Sequence, residues 1–316
     1  MIHFHRKAQR LVLVLAMLGL MGNTSKAAIM STMDIVNNQS KTYALNFPQV
    51  GALYVHSPIA GWRQGTAQLT SFANTLTTAA HVLDGDDGMG GGITEIRFYL
   101  GDYVYEFDQF SYGGSFVRHP DYVPNGLGYG NNDLAVVRLQ TPIVGVTPFE
   151  LYDGELTNGM TLSMVGFGNP GTDALGQLAF DGYLRAGTNV LTGQGSDGSP
   201  QYFSYDSSFV FARFNGPFTG ALPLEWMGSR GDSGGAWVTS DGMLAAISAF
   251  TTGPMLPGTF EGNSTGGLEL ADYHPWLGST LTHMAVVPEP TSFVLGGFGG
   301  LVLGATILLR RKRKRN

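Results

Sequence analysis

The chain contains no cysteine, which removes several kinds of protein at once. No disulfide framework and no thiolate metal site can form, so an exported form of this chain takes its stability from its core alone. Charge is sparse too, at 13% of residues. No internal repeat strong enough to use is present, and no long stretch of helical period appears before Leu268. What the chain does have is 46 glycines in 316 residues and 43% hydrophobic residues. That is the composition of a folded, loop-rich chain, long enough for one large domain or two small ones.

Both ends carry address-like segments. Arg6, Lys7 and Arg10 precede the apolar run Leu11 to Met21 and then the small residues Ser25, Ala27 and Ala28. This pattern predicts a secretory signal peptide over residues 1–27, cut after Ala27, and the run is short for a membrane span. At the other end Val287-Pro288-Glu289-Pro290 leads into the uncharged run Phe293 to Leu309 and the basic cluster Arg310 to Arg315. Seventeen uncharged residues just span a bilayer, and the cluster holds its end in the cytoplasm. This three-part tail resembles the PEP-CTERM sorting signal, which implies an exosortase-type membrane enzyme as partner; a plain C-terminal anchor is the other reading.

Of the 18 basic residues, four lie in residues 1–27 and six in the terminal cluster, leaving eight against 23 acids once Glu289 is set aside. The body between the ends is therefore near net −15. Such a surface repels nucleic acid and anionic membrane, so no nucleic-acid partner is expected.

The interior reads as all-β. Ala52-Leu53-Tyr54-Val55, Glu95 to Leu100, Tyr103 to Phe107, Leu162 to Val165 and Phe209 to Phe214 are short runs rich in β-branched or aromatic residues. Gly, Asn and Asp punctuate them, as in barrels or a sandwich. Gly193 to Pro200 and Gly253 to Gly267 read as surface loops.

The chemistry centres on Gly231-Asp232-Ser233-Gly234-Gly235, a turn that exposes a hydroxyl and aims backbone N–H groups at one point. The N–H groups of Gly231 and Ser233 could hold a carbonyl oxygen that becomes negative during acyl transfer. A serine needs a base, and the base needs an acid to fix its tautomer. His81 closes Thr77-Thr78-Ala79-Ala80-His81-Val82 at the rim of a β-prone run, and Asp133 opens Asn132-Asp133-Leu134-Ala135-Val136-Val137-Arg138-Leu139 at the mouth of another. In that order and with those separations, the three motifs resemble the trypsin/chymotrypsin-like serine peptidases. Further likenesses lie at Phe47 to Val50, His119 to Tyr122, Val165 to Gly168, Ile247 to Phe250 and Tyr273 to Leu277.

The resemblance implies an all-β fold of two antiparallel six-stranded barrels with a short C-terminal helix. The peptidase domain would span residues 35–283, with barrel one over about 35–150 and barrel two over about 151–283. Before it would come a short propeptide (28–34), and after it a linker (284–292), a transmembrane segment (293–309) and a basic tail (310–316). The expected substrate is a protein or peptide, attacked by Ser233 with His81 as base and Asp133 as its partner. Ser248, Ala249 and Phe250 would pair with substrate. Met227 would form the base of the primary specificity pocket where trypsins carry an aspartate, so cleavage after uncharged residues is expected. Cleavage after Asp34 would let the Ile35 amino group pair with Asp232; the other reading is a few residues of disordered leader.

Weaker constellations remain. Asp84, Asp86, Asp87 and Glu95 offer oxygen ligands for calcium in a loop after His81, but the spacing departs from a complete calcium loop and a solvated acidic loop is preferred. No other cofactor is implied. His119 and His274 read as packed or hydrogen-bonded side chains, and Asp121 ranks well below Asp133 as the acid. An exported serine endopeptidase is one functional reading, tethered first to the inner membrane and then released to the envelope, surface or matrix of a Gram-negative bacterium. A peptidase-like binding module without catalysis is the other; an esterase with the order Ser, Asp, His is disfavoured by the order found here.

Overall fold

The structure is a computed structural model and describes residues 28–30, 38–88, 90–124, 130–194, 208–216, 219–253 and 260–286. The signal peptide, Ile35 and the tail from residue 287 onward lie outside the described residues. Among those described, no helix is long and apolar enough to cross a membrane.

A short strand, β1 (Ala28–Met30), is followed by one small helix, α1 (Gln39–Ala44). The first barrel then begins with β2 (Val50–Ser57), β3 (Gly61–Leu69), β4 (Thr75–Thr78), β5 (Glu95–Leu100) and β6 (Gln109–Arg118). A hairpin of β7 (Val123–Pro124) and β8 (Gly130–Asn131) precedes its last strand, β9 (Ala135–Leu139). The barrel closes in the order β2-β3-β4-β9-β6-β5 with every pair antiparallel.

The second barrel uses β10 (Thr161–Gly166), then, after β11 (Pro170–Thr172) and β12 (Gly176–Gln177), β13 (Arg185–Gln194) and β14 (Phe209–Arg213). Past β15 (Trp226–Met227) come β16 (Ala236–Val238), β17 (Leu244–Thr251) and β18 (Ser264–Glu269). It closes as β10-β13-β14-β18-β17-β16, and the chain ends on helix α2 (His274–Val286). Two closed six-stranded barrels and a short C-terminal helix are the architecture that the motifs implied.

One apolar cluster runs through both barrels, from Leu53, Phe98 and Val137 to Phe167, Phe211 and Leu268. Helix α2 joins it by burying Leu277, Leu281 and Met284, four and three residues apart, which is one stripe of a helix. That stripe packs on β4 and β9, so the helix braces the strands that lead to and from the catalytic motifs.

Three local expectations are corrected. Tyr103 to Phe107 contains a 3₁₀ turn over Val104–Glu106 rather than a strand, closed by the Glu106 N–H on the Tyr103 carbonyl. Its aromatic residues serve ring contacts instead: Tyr103 stacks on Tyr183 with centroids 4.3 Å apart. The stretch from Gly253 to Gly267 ends in a strand, because Ser264 onward pairs with β14 and β17. Its glycines reflect crowding, since Gly267 lies under the Trp237 ring and a methyl there would stand 2.9 Å from it. Likewise Gly193 and Gln194 still belong to β13, paired with Phe211 and Val210.

Candidate active site

His81 lies in a 3₁₀ turn (Ala80–Leu83) that follows β4 after one residue, Ala79. Asp133 lies two residues before β9, the neighbour of β4 in the barrel, and Thr78 is paired with Ala135. Adjacent strand ends thus bring base and acid together. The fully buried Asp133 carboxylate accepts the His81 backbone N–H at 2.8 Å and lies 2.6 Å from the ring Nδ1. Two contacts fix both the turn and the ring, and a proton on Nδ1 leaves Nε2 as the basic nitrogen.

Burial alone would lower the His81 pKa, but the charge and hydrogen bond of Asp133, helped by Asp84, outweigh it, and the imidazole is held above its ordinary 6.5. Asn132, with φ of 54°, sets up this geometry. Its amide donates to the Asp121 carbonyl and its side-chain oxygen accepts the Tyr273 hydroxyl at 2.9 Å.

The serine arrives from the other barrel. Gly231 (φ 90°) and Gly234 (φ 81°) flank Asp232-Ser233 in a conformation that L side chains rarely adopt. Gly234 is also wedged in: a methyl there would stand 2.2 Å from Thr78 Oγ1 and 2.8 Å from the Ala79 nitrogen. The glycine next to the nucleophile therefore touches the segment that leads into His81. The Asp232 N–H donates to the Ser229 carbonyl and the Asp232 carbonyl accepts the Gly235 N–H. Among the described residues, the N–H groups of Gly231 and Ser233 donate to no protein acceptor. Two uncommitted donors on a loop so heavily bonded elsewhere fit an anion-binding role.

Asp232 is buried. Its carboxylate accepts the Gly168 N–H at 2.7 Å and the Ser229 N–H and hydroxyl at 3.1 and 3.0 Å. Burial nevertheless pushes its pKa up to about 7, against the lowering influence of these bonds.

The substrate-side expectations meet mixed ground. Met227 is fully buried in β15, clustered with Phe214 and Phe260. Ser248 in β17 is tied to the nucleophile loop, its carbonyl accepting the Gly234 N–H and its N–H donating to the Gly235 carbonyl. Its hydroxyl accepts the Trp237 indole N–H at 2.8 Å. A bulge in β17 falls at Ala249, and beyond it the Phe250 ring covers Gly266, where a methyl would stand 2.5 Å from a ring carbon.

The carboxylates of the acidic loop after His81, the weak calcium candidate, take separate partners. Asp84 Oδ1 accepts the Tyr122 hydroxyl at 3.0 Å and Arg118 Nη1 at 3.2 Å. Asp86 accepts the N–H groups of Ile59 and Ala60, Asp87 that of Gly91, and Glu95 pairs with Arg97. Among the described residues no cluster of three or more potential ligands forms. His119 packs its ring against Tyr273 and Trp276, and its Nδ1 accepts the Asp121 N–H.

Residues the motifs do not contain also shape the site. Thr66 and Gln64, in β3 of the first barrel, reach the nucleophile side: Thr66 bonds Gly231 and Phe167, and Gln64 Nε2 donates to the Phe167 carbonyl. Asp84, with Arg118 and Tyr122, forms a second carboxylate beside His81, itself raised by burial.

Two barrels with histidine and aspartate from the first and serine from the second define the trypsin-like class of serine protease hydrolases. The trypsin family model matches residues 36–265, and the chain belongs to that family. Among solved structures it is similar to mouse neuropsin, a serine protease expressed in the limbic system of the brain, at 20% identity with a TM-score of 0.56, over 74% of this chain and 94% of that one. HL collagenase is similar at 16% identity and a TM-score of 0.58, over 82% of this chain and 98% of that one. At these identities the likeness is one of fold. No curated protein matches.

Proposed function

We propose that the chain is an exported serine endopeptidase that works through Ser233, His81 and Asp133. The observation that carries this reading is the double grip of buried Asp133 on the backbone N–H and ring of His81. Ser233 Oγ attacks the peptide carbonyl while His81 Nε2 takes its proton, and Asp133 stabilises the imidazolium. The N–H groups of Gly231 and Ser233 hold the oxyanion. Collapse expels the amine with the proton from His81, and water, deprotonated by the same nitrogen, releases the acid from Ser233.

The primary pocket takes uncharged side chains, on this reading small ones. The buried Met227 offers no charge to a cationic side chain, and the Phe250 ring across Gly266 occupies wall space. Ser248 to Phe250 supply the backbone against which substrate lies. The test is labelling of the purified protein by a fluorophosphonate, lost in Ser233→Ala, followed by digestion of a mixed peptide library. An unlabelled protein would sink the catalytic assignment, and cleavage mainly after Arg or Lys would sink the pocket assignment.

Two readings of the amino terminus compete. Cleavage after Asp34 would place the Ile35 ammonium against Asp232, whose buried carboxylate calls for a cation. The β1 register favours retention of the residues before Ile35: Ala28 pairs with Pro170, two residues from the Gly168 that bonds Asp232, and a cut after Asp34 would sever that strand from the rest of the chain. N-terminal sequencing decides between Ala28 and Ile35. The sequence of the two ends supports export and an exosortase-type partner, with a membrane tether before processing. An epitope tag after Asn316, followed beside an internal one, tests it: separation of the tags means removal, and joint membrane retention means a plain anchor.

A further inference from the structure

We propose that Thr66 is a positioning residue for the oxyanion-binding loop, acting from the opposite barrel through its hydroxyl. The inference rests on the reading of Ser233 as nucleophile and of the Gly231 and Ser233 N–H groups as oxyanion donors.

Thr66 is completely buried near the middle of β3, paired across the first barrel with Ala52. Its hydroxyl donates to the Gly231 carbonyl at 2.7 Å and accepts the Phe167 N–H at 3.0 Å. Its backbone N–H donates to the Ser233 carbonyl at 2.8 Å, and its carbonyl accepts the Thr78 hydroxyl at 2.7 Å. One residue thus holds two carbonyls of the nucleophile loop, the turn after β10, and the strand that leads into His81.

The hydroxyl bridges two loops of the second barrel at the place where they meet. A methyl on Gly231 would stand 3.1 Å from Gly168 Cα and 3.2 Å from the Phe167 oxygen, so the loops are in close contact there. Gly231, at φ of 90°, has the backbone freedom to turn its peptide planes, and the bond from Thr66 removes it. The Gly231–Asp232 peptide is then clamped at both ends, its carbonyl by Thr66 and its N–H by the Ser229 carbonyl. With that plane fixed, the Gly231 and Ser233 N–H groups on either side of it have a fixed separation and direction. Donors that are oriented in advance need no reorganisation when the oxyanion forms.

A valine fills the same volume but can neither donate to Gly231 nor accept from Phe167. Serine keeps both bonds and loses a methyl. The experiment uses full-chain Thr66→Val and Thr66→Ser, with active sites counted by fluorophosphonate labelling and kcat and KM measured on p-nitrophenyl acetate. Removing an oxyanion donor outright costs about 10²–10³ in kcat, so loosening both donors without removing them is expected to cost about tenfold or more. The expected result is that loss in kcat and in the rate of fluorophosphonate labelling for Thr66→Val, with KM changed less than twofold and Thr66→Ser within about threefold of the parent. A valine variant that keeps kcat and labelling rate overturns the proposal, and so does a serine variant as impaired as the valine one. If the valine variant does not fold, the serine variant decides by the same threshold. The reading of Ser233 fails separately, if the parent is not labelled at that residue.

Discussion

The two barrels contribute to the site in different ways. In the first, His81 and Asp133 sit at adjacent strand ends, and their geometry is complete within that barrel: β4 and β9 are paired, and Asp133 reaches across to His81. In the second, Ser233 sits on a glycine turn whose shape depends on what leans against it, and much of that support comes from the first barrel through Thr66, Thr78 and Ala79. Strand pairing can hold a charge pair in place, whereas a turn with positive φ needs outside contacts to stay in one conformation.

The sharpest way to break the comparison is to remove a reacting group. Ser233→Ala and His81→Ala are each expected to lower turnover by about 10⁴-fold or more, and the double variant by little beyond either, because the groups act as a unit. Kinetics on a cleavable peptide would check both the size and the lack of additivity. Asp133→Asn should cost about 10⁴ as well, through the tautomer rather than through the fold, so circular dichroism should stay unchanged.

Next comes the dependence of the turn on its neighbour. Gly234→Ala places a methyl against Thr78 and keeps φ at 81°, and is expected to destabilise by about 3 kcal/mol or more with loss of activity. Gly242→Ala, at φ of 83° with open space around it, is expected to cost only about 1–2 kcal/mol and to leave activity intact. Thermal unfolding of the pair separates backbone strain from collision; equal effects would show that the wedge at Gly234 is unimportant.

The smallest effects are those of pH. His81 must be neutral to take a proton and its pKa is raised, so activity is expected to fall with decreasing pH through a midpoint above 6.5. The stability from the His81–Asp133 pair has the opposite sense: it is fully present below the unfolded imidazole pKa and is lost as pH rises through the raised folded value. Asp232 adds a further fall in stability as pH rises from about 4 to about 7, because the folded chain keeps the proton that the unfolded chain gives up. A pH series of kcat/KM and of Tm reads these trends, and an acid limb centred below 6.5 would contradict the first.

The triad motifs and the barrel strands could be read from sequence because each is local: a short β-prone run with a polar residue at its end. The support for the nucleophile loop could not. In β3 and the residue after it, Gln64, Thr66, Gln68 and Thr70 alternate with Gly65, Ala67 and Leu69 as if facing water, yet Thr66, Gln68 and Thr70 are fully buried. Gln64 and Thr66 bond to the second barrel, while Gln68 and Thr70 both bond to Thr77. A polar stripe facing another polar surface looks in sequence like one facing solvent. The acidic loop after His81 is a related case, since carboxylates close in sequence took partners from different segments. Phe250 is expected from the motif to lie along substrate, whereas the register that sets its ring over Gly266 depends on a bulge that no local pattern announces.

Strand β1 bears on the order in which the molecule is made. It completes the sheet β12-β11-β1-β15 by pairing Ala28 with Pro170 and Ile29 with Met227, so it joins the two most distant stretches of the chain that any sheet here brings together. Contacts of such long range carry the largest loop-closure entropy and form late. A strand synthesised before either barrel is therefore among the last to dock. Because β1 docks beside Met227, the surroundings of that buried residue become complete only after β11 and β15 are in place to receive it.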